Sequence, residues 1–378
     1  MDSRSEMRSQ RRAWLASALR GDCPAWAPDL FVAPLALADA AAQEGVVGLL
    51  AAALRRSGST GIPPEERAKL DGAERRERAL ELLRRAELVR VSDALASAGQ
   101  PVLVLKGAAL AHWLYPEPHL RQRCDVDLLF ETVESLEATT PVLAELGYEA
   151  APLAANAIHY ERAFTARSPG GHVHVIDAHW RMSNYPVYAE RFGFEELFAA
   201  RRVLPGIATA NGLGLVHALI QACVHRVSNL RTGEGDRLIW LYDLELLVQR
   251  FADDDWAQLL QIVRDRQLGG ACHAALQAAQ RWLHTRLPAE VATSLAECAR
   301  GEEFQADQAH RRDYYEWQVL GTLPWWSRPG YFLKRVFPSA AYMRQVYNLC
   351  NSMQLPAAYA RRLGECIGIA FRAVRSHR

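Results

Sequence analysis

Asp125 and Asp127 stand two apart in a run, DVDLLF, that alternates as a strand does. Asp125, Asp127 and Leu129 lie on one face; Val126, Leu128 and Phe130 lie on the other. Acids two apart on a strand are separated by about 7 Å at the backbone and project the same way, so they can converge on one cation. A third acid, Asp177, lies near the end of a second alternating run, on the face shared with Val173 and Val175. If the two runs are neighbours in a sheet, three carboxylates meet at one edge. Such acids repel unless a divalent cation neutralises them, and hard oxygen ligands with room for phosphate suit Mg²⁺ or Mn²⁺. Phosphoryl or nucleotidyl transfer is the natural chemistry of that arrangement. The competing reading is an ordinary turn or helix-capping pair, since Asp-x-Asp alone is common.

The elements around these acids are legible in outline. Val102–Leu105 is a continuous apolar run after Pro101, as expected of a buried strand, followed by Lys106-Gly107 and a helical stretch from Ala108 to Leu114. A helix from Thr132 stops at Gly147. Runs 158–166 and 172–179 flank Ser168-Pro169-Gly170-Gly171, which predicts an antiparallel hairpin. Residues 1–100 read as helical, broken near Cys23-Pro24, Gly58 to Gly61 and Pro63-Pro64. Glu74 to Ser97 reads as one long amphipathic helix with a solvated charged face. After about 208 the helical period returns and holds to the end. The expectation is therefore three regions: helical 1–100, a core over 101–207, and helical 208–378. The fold class is α+β, with a small mixed sheet between helical N- and C-terminal regions.

Composition narrows the function classes. The chain has 378 residues, half of them apolar, and 44 basic residues against 43 acidic ones, so no global field points to DNA, RNA or an anionic membrane. The seven cysteines form no Cys-x-x-Cys pair, and the first residues lead into no apolar signal core. A cytoplasmic protein with reduced thiols and no membrane or DNA partner is expected. Only Lys69, Lys106 and Lys334 are lysines in a chain rich in arginine, which singles out the ammonium of Lys106 beside its glycine. Its competing reading is a solvated residue at a strand end.

Other polar residues carry bland readings. His172 and His174 share a strand face and with His179 suggest zinc, but an exposed sheet face accounts for them without a metal. His217, Gln221 and His225 share a helix face; the histidines either face a ligand or are satisfied in the core. Asp243, in an apolar helix, is expected to pair with an arginine such as Arg226. Trp325-Trp326 reads as a core or domain contact, with base stacking as the alternative.

Taken together, LVLKGAALAHWLYPEPHLRQRCDVDLLF, ELGYE and VIDAHW resemble the nucleotidyltransferase superfamily, and specifically the bacterial "uncharacterised nucleotidyltransferase" family. The shared order is Lys-Gly, helix, Tyr-Pro, Arg, Asp-x-Asp, then Asp-x-His-Trp, with weaker similarity in WLYDLELLV and FPSAAYMR. The resemblance implies that Asp125 and Asp127 hold the metals and that Asp177 is the third acid and base. It implies that Gly107 opens the turn where an incoming triphosphate meets a helix N-terminus. Ala108 stands where the broader superfamily has serine; Lys106, with Arg121 or Arg123, is the cation offered to phosphate instead.

The function so implied is Mg²⁺- or Mn²⁺-dependent transfer of a nucleoside monophosphate from ATP or another NTP to an acceptor hydroxyl, releasing pyrophosphate. The acceptor is open among small molecule, peptide and RNA. Two alternatives stand beside it: a non-catalytic nucleotide- or partner-binding module of the same fold, and a toxin-like enzyme acting on tRNA.

Overall fold

The apolar tetrapeptide Val102–Leu105 (β1) is buried along its whole length, because strands lie against both of its edges and helices against its faces. The computed structural model describes residues 3–32, 36–57, 61–151, 160–230, 236–302, 320–321, 323–349 and 351–376. The other strands among the described residues are β2 Val126–Phe130, β3 Glu149–Ala150, β4 Glu161–Arg167, β5 Val173–His179, β6 Arg202–Leu204 and β7 Ile207–Gly212. With β1 they form one seven-stranded mixed sheet in the order β3-β4-β5-β2-β1-β7-β6. β2 runs antiparallel to β1 and parallel to β5; β7 runs parallel to β1. The expected hairpin is β4–β5, its turn closed by the Gly171 N–H on Ser168 O with Gly171 at φ 83°. Helices occupy both terminal regions, so the fold is α+β as expected.

Several boundaries differ from the sequence reading for physical reasons. β2 starts at Val126 rather than Asp125. The hairpin strands begin at Glu161 and Val173; the expected residues 158 and 159 lie outside the described residues. The helical period expected after about 208 begins only at Leu215, because Ile207–Gly212 is a strand on the edge of β1. Its apolar residues alternate too briefly to separate strand from helix by periodicity.

The N-terminal helices are α1 Ser3–Arg20, α2 Leu37–Glu44, α3 Val47–Ser57 and α4 Pro64–Ser97. The long helix α4 extends ten residues further upstream than expected, and part of its charged face is not solvated. Glu66, Glu74 and Glu81, spaced about two turns apart, are buried. Glu66 accepts from the Leu37 N–H, Glu74 pairs with Arg55 of α3, and Glu81 takes Arg123 in a bidentate grip at 2.6 and 3.0 Å. Helical periodicity alone cannot distinguish a charge facing water from one facing a distant arginine.

Downstream of β1 come α5 Lys106–Trp113 and α6 Val133–Glu145, the latter capped by Thr132 and Ser135. The short helices α7 Pro186–Ala189 and α8 Phe194–Ala199 follow β5; after the sheet come α9 Leu215–Leu230, α10 Leu238–Val248, α11 Asp253–Arg266 and α12 Gly269–Leu283, of which α9, α10 and α12 pack on one another, with α9 touching α5. One hydrophobic cluster runs from Trp14 of α1 through the sheet to Leu295. Glu44 joins the two helical regions: it pairs with Arg12 and accepts from the Leu238 N–H at 2.8 Å. Among the described residues no helix is long and apolar enough to cross a membrane.

His112 of α5 is buried against Glu81 and Arg123, its Nε2 without a hydrogen bond and 3.8 Å from Glu81. Burial, with the Arg123 and Arg85 charges, pushes its pKa down to about 4. The unfolded chain binds its proton near 6.5. The folded form therefore loses stability as pH falls from about 6.5 to about 4. Urea midpoints at pH 7 and pH 5 should show the native chain losing about 1–2 kcal/mol more than His112→Gln; equal losses would remove His112 as the cause.

Candidate active site

β2 and β5 place the acids. Their parallel register sets Asp127 opposite Asp177, and Asp125 lies two residues upstream of Asp127. The three expected carboxylates, 52 positions apart at the extremes, are therefore neighbours. Asp127 is buried, while Asp125 and Asp177 are half-buried. Burial and the charges of Asp127, Glu161 and Asp125 push Asp177 up to about 6. Asp125 is likewise raised by burial and by Asp127, with Lys106 and Arg121 opposing. Burial also acts to raise Asp127, yet Lys106 and His179 outweigh it and hold that carboxyl well below the usual range.

Two donors converge on one oxygen. The Lys106 ammonium donates to Asp127 Oδ1 at 2.5 Å and His179 Nε2 donates to the same atom at 2.9 Å. His179 Nδ1 lies 3.5 Å from Glu161 of β4. Strand alternation puts His179 on the face of Asp177, opposite His172 and His174. His174 is buried rather than exposed, edge-on to the His172 ring. Glu161 was missed altogether. It opens β4 opposite His179, and its only signal was an acid at the start of a strand run.

Lys106 has φ 50°, in the left-handed region where a side chain is strained. The residue that turns the chain out of β1 is thus Lys106, not Gly107, and α5 begins there, two residues before the expected start. The Lys106 N–H donates to Gln221 Oε1 of α9 at 3.1 Å. Gly107 is needed for space. A Cβ there would lie 3.0 Å from Cζ and Nη1 of Arg121 and 3.1 Å from Nη2.

Arg121 cannot yield to such a Cβ. Its guanidinium is buried on Asp243 of α10 with contacts of 2.8, 3.0 and 2.8 Å, and it donates to Gln122 O at 2.7 Å. The Tyr115 hydroxyl also donates to Asp243, at 2.7 Å. Asp243 therefore pairs with Arg121, whereas Arg226 takes Asp236 at 2.6 Å. The expectation failed because residue 121 lies far from 243 in sequence. His225 and Gln221 line a narrow crevice with Lys106, Arg121 and Trp240, and burial with the Lys106 charge pushes His225 down to about 3. His217, two turns away, instead lies against Glu196 and Phe192.

The donor set suits a hard divalent cation. Four carboxylates, from Asp125, Asp127, Glu161 and Asp177, face one ammonium, an excess of negative charge that oxygen-seeking cations relieve. These carboxylates are not drawn together: among the described residues no three His, Cys, Asp or Glu side chains converge at metal-binding spacing, and Lys106 holds Asp127 Oδ1.

A family model described as "Uncharacterised nucleotidyltransferase" matches residues 33–284, well over half of the chain. No curated protein matches it.

Two substitutions probe the geometry. Gly107→Ala must displace a guanidinium pinned by Asp243 and should cost about 1–3 kcal/mol; a melting temperature equal to that of the native chain would show that the approach is slack. Asp177→Asn removes a charge that its neighbours repel. It should raise the metal-free protein's stability at pH 8 by about 1 kcal/mol, whereas a loss measured by urea titration would mean that Asp177 holds the ladder together.

Proposed function

We propose that this chain, which belongs to the uncharacterised nucleotidyltransferase family, transfers a nucleoside monophosphate from an NTP to an acceptor hydroxyl with the aid of Mg²⁺ or Mn²⁺. The observation that most supports this reading is the β2–β5 register, with Asp127 beside Asp177 and Asp125 two residues before. Asp125, Asp127 and Asp177 hold the cation. When bound, it offsets charge on the phosphate oxygens and eases ionisation of the hydroxyl. Asp177 accepts the acceptor's proton while the new oxygen–phosphorus bond forms and the bond to pyrophosphate breaks. Lys106, freed from Asp127, neutralises the triphosphate.

In this reading Arg121 is a positioning residue. Buried on Asp243, it supports the bare face of Gly107 and so sets the turn from which Lys106 reaches the acids. The acceptor is a small molecule, a peptide or an RNA.

A second reading has its own observation. Lys106 already occupies Asp127 as a resident cation, and both Arg121 and Arg123 are committed to acids, Asp243 and Glu81. Such a site suits a non-catalytic nucleotide-binding module.

The experiment is pyrophosphate release with radiolabelled NTPs and an acceptor panel, with and without Mg²⁺. Asp127→Asn should cut turnover by at least about 100-fold. The Lys106 side chain is partly exposed and can turn its ammonium toward water once its partner is neutral, so the variant should still fold. Lys106→Gly accepts the left-handed backbone but leaves Asp127 with His179 as its partner, so it should cost stability while raising the KM for NTP about tenfold without weakening metal affinity. Unchanged turnover in Asp127→Asn removes the metal mechanism, and NTP binding without release across the panel supports the second reading.

A further inference from the structure

Charge is distributed unevenly along this nearly neutral chain. Residues 320–378 hold nine lysines and arginines and one acid, Glu365, whereas residues 1–319 hold 35 basic and 42 acidic residues. The same C-terminal stretch carries most of the exposed large apolar side chains among the described residues. Trp325 and Trp326 are 74% and 68% exposed, and Leu333 and Met353 are 63% and 89% exposed. The expectation that the two tryptophans form a core contact is therefore overturned.

The exposed groups belong to a folded unit. The helix Arg328–Val336 buries none of its residues. It is joined to the helix Leu355–Ser376 by Arg362 Nε donating to Arg335 O at 2.8 Å, and the Tyr359 hydroxyl donates to Pro338 O at 2.6 Å. Leu323 and Tyr331 anchor the unit to the main core. At 100° per residue, Phe332, Leu333 and Val336 fall on one arc of the first helix and Phe337 caps its end, while Lys334 and Arg335 fall outside that arc and Arg328 borders it. Leu363 and Ile367, four apart and exposed, share a face of the second helix.

We propose that this C-terminal unit is a peripheral membrane-binding surface, which seats its tryptophans and apolar arc in the interfacial layer of an anionic bilayer. Basic amphipathic helices bearing indole and aliphatic groups partition there, and each basic residue near the surface adds attraction to acidic headgroups. The aliphatic share favours lipid over RNA, because Leu333, Met353, Leu363 and Ile367 offer no π-face to a base. A second copy of this chain is disfavoured, because the same excess of positive charge would face itself.

Co-sedimentation of the full chain with phosphatidylcholine vesicles, with and without phosphatidylglycerol, tests this. Binding is expected only with phosphatidylglycerol and should weaken as salt rises. Leu333→Ser with Lys334→Glu, both at exposed positions, should lower partitioning about tenfold, with an unchanged melting temperature. Phe332→Ser serves as a second variant should that pair fail to fold. The proposal is overturned by no binding to acidic vesicles, by undiminished binding of the variants, by capture of an RNA oligonucleotide in place of vesicles, or by a stable dimer in light scattering that covers the patch.

Discussion

The carboxylate of Asp127 is almost wholly removed from water, and a buried negative charge without a partner costs several kcal/mol. The local structure answers that requirement. The Lys106 ammonium reaches Asp127 only because the backbone at residue 106 turns left-handed at the end of β1. That turn is held by the Gln221 side chain on its N–H, while His179 supplies the second donor. A bare glycine then lets a guanidinium close the other side of the turn. Strain at one residue is offset by one charge pair and two further hydrogen bonds, drawn from β2, β5 and α9.

The same logic explains why helices from both ends of the chain are required. Arg121 and Arg123 precede β2 by a few residues, and each is buried in a bidentate grip: the first by Asp243 of α10, the second by Glu81 of α4. A buried guanidinium is tolerated only with matched geometry, so the two pairs fix the approach of the chain to Asp125 and Asp127. They clamp the N-terminal and C-terminal helical regions to the sheet at the point where the acids emerge.

Parts of this were legible in the sequence. The apolar run of β1, the alternation of β2, the capped helix after it and the Pro-Gly-Gly hairpin all have short-range signals, whereas the pairing of β2 with β5 that brings Asp127 beside Asp177 was legible only as a condition. The pairing partners were not legible. Glu81, Asp243 and Gln221 reach the site across about 40 to 120 positions, and an acid or amide in a helical period looks the same whether it meets water or arginine. Strand β7 was lost because six residues of weak alternation carry little information, and Lys106 was given the wrong backbone because glycine is the usual owner of positive φ. His179 was recoverable from parity alone, since odd-numbered residues of β5 share the face of Asp177.

Net charge was the least informative number of all, because it averages two opposite local fields. The candidate site gathers four carboxylates around one ammonium, so a free triphosphate entering it meets repulsion at every oxygen. A divalent cation on that triphosphate offsets the repulsion where it meets the carboxylates. Within the proposed chemistry, nucleotide and metal therefore have reason to arrive together rather than in sequence. In that proposal the ammonium on Asp127 would keep the acids compatible until then and would be released next to phosphates that need a counter-charge. One lysine can serve both states because its long stem spans the distance without moving the backbone turn that holds it.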